Sequence, residues 1–342
     1  MKLFTKKLII IFAIIAVMFV VIEIFSKPKI ETIKFGYSLQ EAIGNSPLII
    51  AYEKGFFERE NLVVEMVPLK NGGEIVQALA SGSLDVGSVG MPNLLIPISK
   101  GAPVKVIAPI ALFPVDFFVR PGSINTFREL LGKRIASRPG GSADFVIKYV
   151  LKKENIDTSK IEFIDVDRAF RPIALMERNI VDAAVAVSYD TTSFIDSGAV
   201  IMKEWDEKGY TKVTSLGTAV AMNIAVNTDY LKTHESAVKR FLDAHMDGHE
   251  YIQTNRKDAS LVVANHTTKE SDGAFAYTSD DVLKLWEKQK NMYKLWYEPE
   301  TLLGLFDIAK EMLIIERVPT VDEFYDQRFK NQLKIKHQQL YE

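Results

Sequence analysis

Two glycine turns stand at the starts of predicted helices, Asn71-Gly72-Gly73 and Gly140-Gly141-Ser142. Unpaired N–H groups and the positive end of the helix dipole make such places receptive to a phosphate, sulfonate or carboxylate. Neither turn fits G-x-x-x-x-G-K-[ST] or G-x-G-x-x-G, so the nucleotide fingerprints are missing. Strands expected just downstream end in small or hydroxyl residues, Ser88-Val89-Gly90-Met91 in one case and Ser188-Tyr189-Asp190 in the other. In open parallel sheets ligands bind beyond the carboxyl ends of strands. The tips should therefore converge with the glycine turns in one crevice, joined by Tyr37 and Ser38 at the end of the first strand and by Phe113. Asp190 complicates an anion site, because its carboxylate would favour an amine or a pyrimidine amino group.

The search for a reaction centre gives less. His245 and His249 stand at i, i+4 on a predicted helix, a spacing that can bind metal, but the stretch reads His-Met-Asp-Gly-His and no third ligand is identifiable. A solvated helix face is the expectation there. No Gly-x-Ser-x-Gly elbow is present, and Ser142 has no matched base. The chain contains no cysteine, which removes disulfides, thiolate nucleophiles, Cys-based metal sites and a lipidated cysteine. No catalytic residue, metal or cofactor is expected. Trp286, Tyr293, Trp296 and Tyr297 fall at helical spacing and read as core or interdomain packing.

The elements that hold these residues follow from alternating short apolar runs and longer amphipathic segments, the pattern of an α/β protein with largely parallel sheets. Strands are expected at Ile33–Tyr37, Leu62–Val67 and Asp85–Val89, and Val104–Ala111 and Asp116–Val119 are two more apolar runs. Ser46 reads as an N-cap before Pro47. The plan then repeats: Arg134–Ser137, a helix from Ala143, Ile161–Val166, a helix at Ile173–Arg178 and Ala183–Val187. Leu79–Asp85 aligns with Met176–Asp182, with Gly82 over Asn179, the two residue types that close a helix in the left-handed conformation at least cost. From Ala221 a last strand and several helices return without a third copy. A chain that builds one lobe, crosses near Phe117–Gly122, builds a second, and recrosses near Leu216–Ala221 gives this order. The division is 1–30 for an N-terminal segment, 31–120 and 219–342 for lobe 1, and 121–218 for lobe 2.

The 342 residues suffice for two such lobes, and 47% hydrophobic with 25% charged residues is a globular balance. The formal net charge is −2, with five lysines and one acid in the first 30 residues, so the remainder is more acidic than the total. Nucleic acid is not an expected partner. Lys2, Lys6 and Lys7 precede the 18-residue run Leu8–Phe25, interrupted only by Glu23. As a helix this run is about 27 Å long, close to the bilayer's apolar thickness. No A-x-A-like site follows, which favours an uncleaved membrane helix over a removed signal; either reading exports the rest.

These residues resemble the substrate-binding proteins of ABC importers for nitrate, taurine and aliphatic sulfonates, and for thiamine pyrimidine precursors. The resemblance runs from about Ile33 to Asp322. It is carried by Pro47-Leu48-Ile49-Ile50-Ala51-Tyr52-Glu53-Lys54-Gly55-Phe56-Phe57, Asn61–Glu65, Gly72-Gly73 and Gln77–Gly87, with weaker support from Leu131–Ala136, Asp182–Val185 and Asn227–Leu231. It implies a type II periplasmic binding protein fold, two mostly parallel α/β lobes closing over a small solute for delivery to a permease and ATPase outside the cytoplasm. By position it implies ligand contacts from Tyr37, Ser38, Asn71, Gly72, Gly73, Ser88, Gly90, Met91, Gly141, Ser142, Ser188, Tyr189 and Asp190. Related enzymes on this scaffold, the fungal pyrimidine synthases and the sulfinate desulfinases, depend on cysteine. The alternatives are a membrane-anchored sensor or interaction module on the same fold and, after it, a thiamine-pyrimidine synthase-like enzyme.

Overall fold

The computed structural model describes residues 29–112, 115–165, 172–187, 191–210, 221–273, 276–288 and 296–341. Among these residues ten strands form two five-stranded sheets. The first contains β1 (Glu31–Ser38), β2 (Leu62–Leu69), β3 (Val86–Gly90), β4 (Val104–Leu112) and β10 (Ala221–Asn227), in the order β2-β1-β3-β10-β4. The second contains β5 (Val115–Val119), β6 (Arg134–Ser137), β7 (Glu162–Asp165), β8 (Ala183–Val187) and β9 (Val200–Ile201), in the order β7-β6-β8-β5-β9. In each sheet three consecutive neighbours run parallel, and the fourth strand, β10 or β5, is antiparallel to both its neighbours. The sheets are therefore mixed, with one reversed strand apiece.

Because β5 already belongs to the second sheet, the chain leaves the first between Leu112 and Val115, earlier than the expected Phe117–Gly122. The apolar composition of the run concealed the crossing, since strands on either side of it read alike. The expected recrossing from Leu216 lies outside the described residues, and β10 belongs to the first sheet from Ala221. Leu8–Phe25 also lies outside them. Among the described residues no helix is long and apolar enough to cross a membrane.

Both faces of the first sheet are covered. Ile33, Phe35 and Val86 pack with Leu48 and Ile49 of the Ser46–Glu53 helix and with Phe241 of the Thr228–Thr254 helix. A second apolar cluster joins Ile75 and Leu95, beside the first sheet, to Phe117, Ile135 and Phe145, around the second, and to Phe306 of the Pro299–Glu311 helix. Continuity of apolar packing between the sheets ties their relative position to burial.

Three local expectations change. Ser46 is the first helical residue and its hydroxyl donates to the Ile43 carbonyl at 2.6 Å, with Asn45 in the cap position. His245 and His249 are fully buried, not solvated. Their helix is enclosed because Gly248 lets it meet the Ser46–Glu53 helix backbone to backbone: a Cβ at Gly248 would lie 2.0 Å from the Pro47 carbonyl oxygen. Burial pushes His245 down to about 3, so it is neutral at physiological pH. The third change is the helix Met91–Ser99, outside the expected elements, which carries Pro92 at its start and Pro97 inside it. Pro92 occupies the first turn, where its missing N–H costs nothing.

Candidate functional site

Three helices begin near one another: Gly72–Ala80, Met91–Ser99 and Ser142–Lys153. The first two flank the first sheet and the third flanks the second. Their proximity is fixed by the ideal Cβ positions of two glycines. A Cβ at Gly90 would lie 3.6 Å from Ser142 Oγ and 3.7 Å from Asn93 Nδ2, and one at Gly72 would lie 2.8 Å from the same Asn93 nitrogen. Gly72, Gly90 and Ser142 are thus brought within one side chain's reach.

The helix starts differ in how their N–H groups are used. Asn71 caps the first, accepting from Glu74 N at 3.0 Å, while Glu74 accepts from Lys70 N. Gly90 and Gly141 occupy the other two cap positions and supply no side chain. At the third helix, Asp144 turns inward: its carboxylate accepts from Ser137 Oγ at 3.0 Å, Gly140 N at 3.1 Å and Lys148 Nζ at 2.9 Å. The Gly141 N–H is spent on the Arg138 carbonyl. The first-turn N–H groups beyond it lack a side-chain cap, on a helix of 12 residues. Such a terminus carries roughly half a positive charge. Facing it from the other sheet, the Met91–Ser99 start is likewise uncapped. Lys70 and Arg138 flank the glycine turns as exposed side chains.

The remaining expected residues divide by accessibility. Asn71 is exposed, and Gly73, Gly90, Gly141 and Ser142 are partly open; Tyr37, Ser38, Gly72, Ser88 and Met91 are buried. Tyr37 is closed off entirely. Its hydroxyl lies 3.3 Å from His266 Nε2, and His266 Nδ1 lies 2.6 Å from Glu53 Oε1. With Nδ1 protonated, the imidazole donates to Glu53 and accepts from the phenol. Burial, followed by the charge of Glu270, pushes Tyr37 well above the ordinary tyrosine range, so it stays a neutral phenol. Ser88 points to the same side of β3 as Val86, toward the helices, and its hydroxyl is buried without a partner among the described residues. Phe113, Ser188, Tyr189 and Asp190 lie outside the described residues.

Asn93 was missed together with its helix. It sits in the first turn, half-buried, and no hydrogen bond from the described residues reaches its amide. The available signal was an asparagine two residues after Met91 in a Pro-bounded segment. Two other polar groups also escaped reading. Asp116, inside a run read as apolar, is buried at the start of β5. Asn223 on β10 donates to the Val89 carbonyl at 3.3 Å and accepts from the Tyr297 hydroxyl at 2.5 Å, bracing the strand that delivers Gly90. Among the described residues no group of three His, Cys, Asp or Glu side chains could hold a metal ion.

Residues 43–259 match the family model described as NMT1/THI5 like. The chain belongs to the NMT1/THI5-like family. A Brucella abortus (strain 2308) chain described as a binding protein is 30% identical over 152 residues, 44% of this chain and 46% of the relative. The match therefore spans about half that relative's length. The taurine-binding periplasmic protein of Escherichia coli (strain K12) is 25% identical over 209 residues, 60% of this chain and 62% of its own. In structure, the periplasmic aliphatic sulphonate binding protein SsuA of Escherichia coli aligns with a TM-score of 0.70 at 15% identity, covering 87% of this chain and 98% of SsuA. At that identity the likeness establishes the periplasmic binding protein fold.

Proposed function

We propose that this NMT1/THI5-like chain is the solute-binding component of an ABC importer, working outside the cytoplasm and handing its solute to a permease driven by an ATPase. Its two lobes would be residues 31–112 with 221–342, built on the first sheet, and 115–210, built on the second. The solute is a small molecule with one anionic oxygen head group, a sulfonate, nitrate or carboxylate. The observation that carries this reading is the pair of uncapped helix starts, at Gly90 and Ser142, that approach from different sheets, with Ser142 Oγ 3.6 Å from where a Cβ on Gly90 would lie. Two such termini favour acceptor oxygens and a single negative charge. The glycine turns present no paired arginine fork, the usual partner of a doubly charged phosphate. Taurine and sulphonate binding in the named relatives agrees with this chemistry.

Capture without turnover is the expected chemistry, and Leu8–Phe25 would export the domain and hold it at the membrane. An anchored sensor on the same fold predicts the same ligand with no dependence on a permease. Calorimetric titration of the purified chain with methanesulfonate, taurine, nitrate and 4-amino-5-hydroxymethyl-2-methylpyrimidine tests the reading. Reversible binding of a sulfonate or nitrate is expected, raising stability by about 2.7 kcal/mol at a hundredfold excess over Kd. Preference for the aminopyrimidine, or an altered product after incubation, would overturn it.

A further inference from the structure

Among the described residues nothing else accounts for Asn93. It packs into no hydrogen-bond network of the described residues, and it does not cap its helix, a role Gly90 occupies with no side chain. An asparagine in the first turn of a helix ordinarily turns back on nearby backbone. Here the amide is instead directed to where the three helix starts meet, 2.8 Å from the Cβ that Gly72 lacks and 3.7 Å from the one that Gly90 lacks. Ser142 Oγ approaches the same Gly90 position at 3.6 Å from the opposite lobe.

We infer that Asn93 is the side chain that reads the solute's anionic oxygens from the first lobe, with Gly72 forming the socket that leaves its amide room to do so. The inference rests on the solute-binding reading above and adds a specificity-determining residue to it. The amide supplies two N–H donors without a charge, which suits a head group already facing two helix dipoles. Gly72 lacks the positive φ that would require glycine for backbone reasons, so what its missing side chain provides is space for the Asn93 amide, whereas a Cβ at Gly90 would make only ordinary contacts, 3.6 Å from Ser142 Oγ and 3.7 Å from Asn93 Nδ2. A methyl group at Gly72 would meet the end of a flexible side chain and not backbone, so Gly72→Ala should swing the Asn93 amide aside and leave the fold intact.

Asn93 and the Gly72 turn belong to helices beside the first sheet, and Ser142 to one beside the second. A carboxylate in place of the amide would keep the shape, remove both donors and place a negative charge against an anion. Asn93→Asp is therefore the sharper probe, and Asn93→Ala the one that favours the helix.

The test measures Kd for methanesulfonate, nitrate and 4-amino-5-hydroxymethyl-2-methylpyrimidine by calorimetry on the whole chain. The proteins are wild type, Asn93→Ala, Asn93→Asp, Gly72→Ala and the Asn93→Ala/Gly72→Ala pair, with thermal unfolding of each as a fold control. For the anion that wild type binds best, Asn93→Ala is expected to weaken binding about 10- to 100-fold, the range for one hydrogen bond to a charged partner. Asn93→Asp should weaken it further while leaving aminopyrimidine binding no weaker. Gly72→Ala should match Asn93→Ala and add less than twofold to it in the pair. Wild-type binding of an anion with Asn93→Ala and Asn93→Asp both within twofold would overturn the inference and leave the solute-binding reading standing. So would a Gly72→Ala effect of full size in the Asn93→Ala background. Failure of wild type to bind either anion would overturn the reading on which the inference rests.

Discussion

The corner that leads into β3 and the corner that leads into β8 are two versions of one device. In the first, Gly82 closes the helix at φ 74° and Asp85 Oδ2 accepts from Lys34 N at 2.8 Å, while Asp85 N donates to the Lys34 carbonyl. In the second, Asn179 takes φ 56°, Asp182 Oδ2 accepts from Arg134 N at 2.9 Å, and Asp182 N donates to the Arg134 carbonyl. The aspartate thus registers its strand against the neighbouring parallel strand at the same point in both sheets. The difference is electrostatic. Asp182 is also held by the guanidinium groups of Arg134, at 3.2 Å, and Arg120, at 3.5 Å. Arg120 further donates to the carbonyls of Met176 and Val181. The second sheet, which has shorter strands, adds charge where the first relies on helix packing. The comparison teaches that backbone registration by the aspartate is common to both sheets, and the ion pairs are an addition to it.

The largest break targets the helix packing. Gly248→Ala places a Cβ against the Pro47 backbone, which cannot step aside as a side chain could. We expect about 3 kcal/mol or more of destabilisation, read as a lowered denaturation midpoint, with amide exchange rising around the first sheet before the second.

Next come the aspartates. Asp182→Ala should cost about 2 kcal/mol and Asp85→Ala about 1 kcal/mol, the common part being the backbone hydrogen bond and the excess the half-exposed arginine pairs. Burial raises Asp182, but its hydrogen bonds to the Arg134 side chain and backbone and the charge of Arg120 outweigh this and hold it below the usual carboxylate range. Its folded value is depressed, so its stabilisation is present above the unfolded value, about pH 4, and is lost as pH falls through the folded value. Stability curves from pH 7 to pH 2 should show this acid loss shrinking in Asp182→Asn. Equal costs at the two aspartates, or an unchanged acid limb, would remove the electrostatic difference.

The left-handed closures give the smallest effects. Nothing lies within 4 Å of a Cβ at Gly82, so Gly82→Ala should cost only the backbone strain, about 1 kcal/mol. Asn179→Gly should stay within about 0.5 kcal/mol, since both residue types tolerate φ > 0.

Much of this was legible beforehand, because patterns with a period leave marks. The strand cores, the Gly82/Asn179 correspondence and the glycine turns are local signals of burial or φ > 0. The return of the chain to its first sheet also left one, the long apolar-periodic segment after Ala221. What escaped were features decided at a distance. The Met91–Ser99 helix was obscured by two prolines, one of which is favourable at a helix start. Burial of His245 depends on Gly248 meeting Pro47, a contact across roughly two hundred residues of sequence that no window reveals. The engagement of Tyr37 by His266 is likewise nonlocal. Asn93 fell in the same gap, since its helix had not been drawn.

The most direct test of the central claim is a distance between the lobes with and without solute. A chain with no cysteine accepts spin labels cleanly, and Glu65 and Glu162 hold equivalent exposed edge positions, opposite Lys34 and Arg134. Pulsed electron spin resonance on Glu65→Cys/Glu162→Cys, titrated with methanesulfonate, taurine or nitrate, should show a broad distance distribution narrowing and shifting to one value as the site between Gly90 and Ser142 fills. An unchanged distribution at saturating concentrations of all three would contradict a solute held between the two lobes.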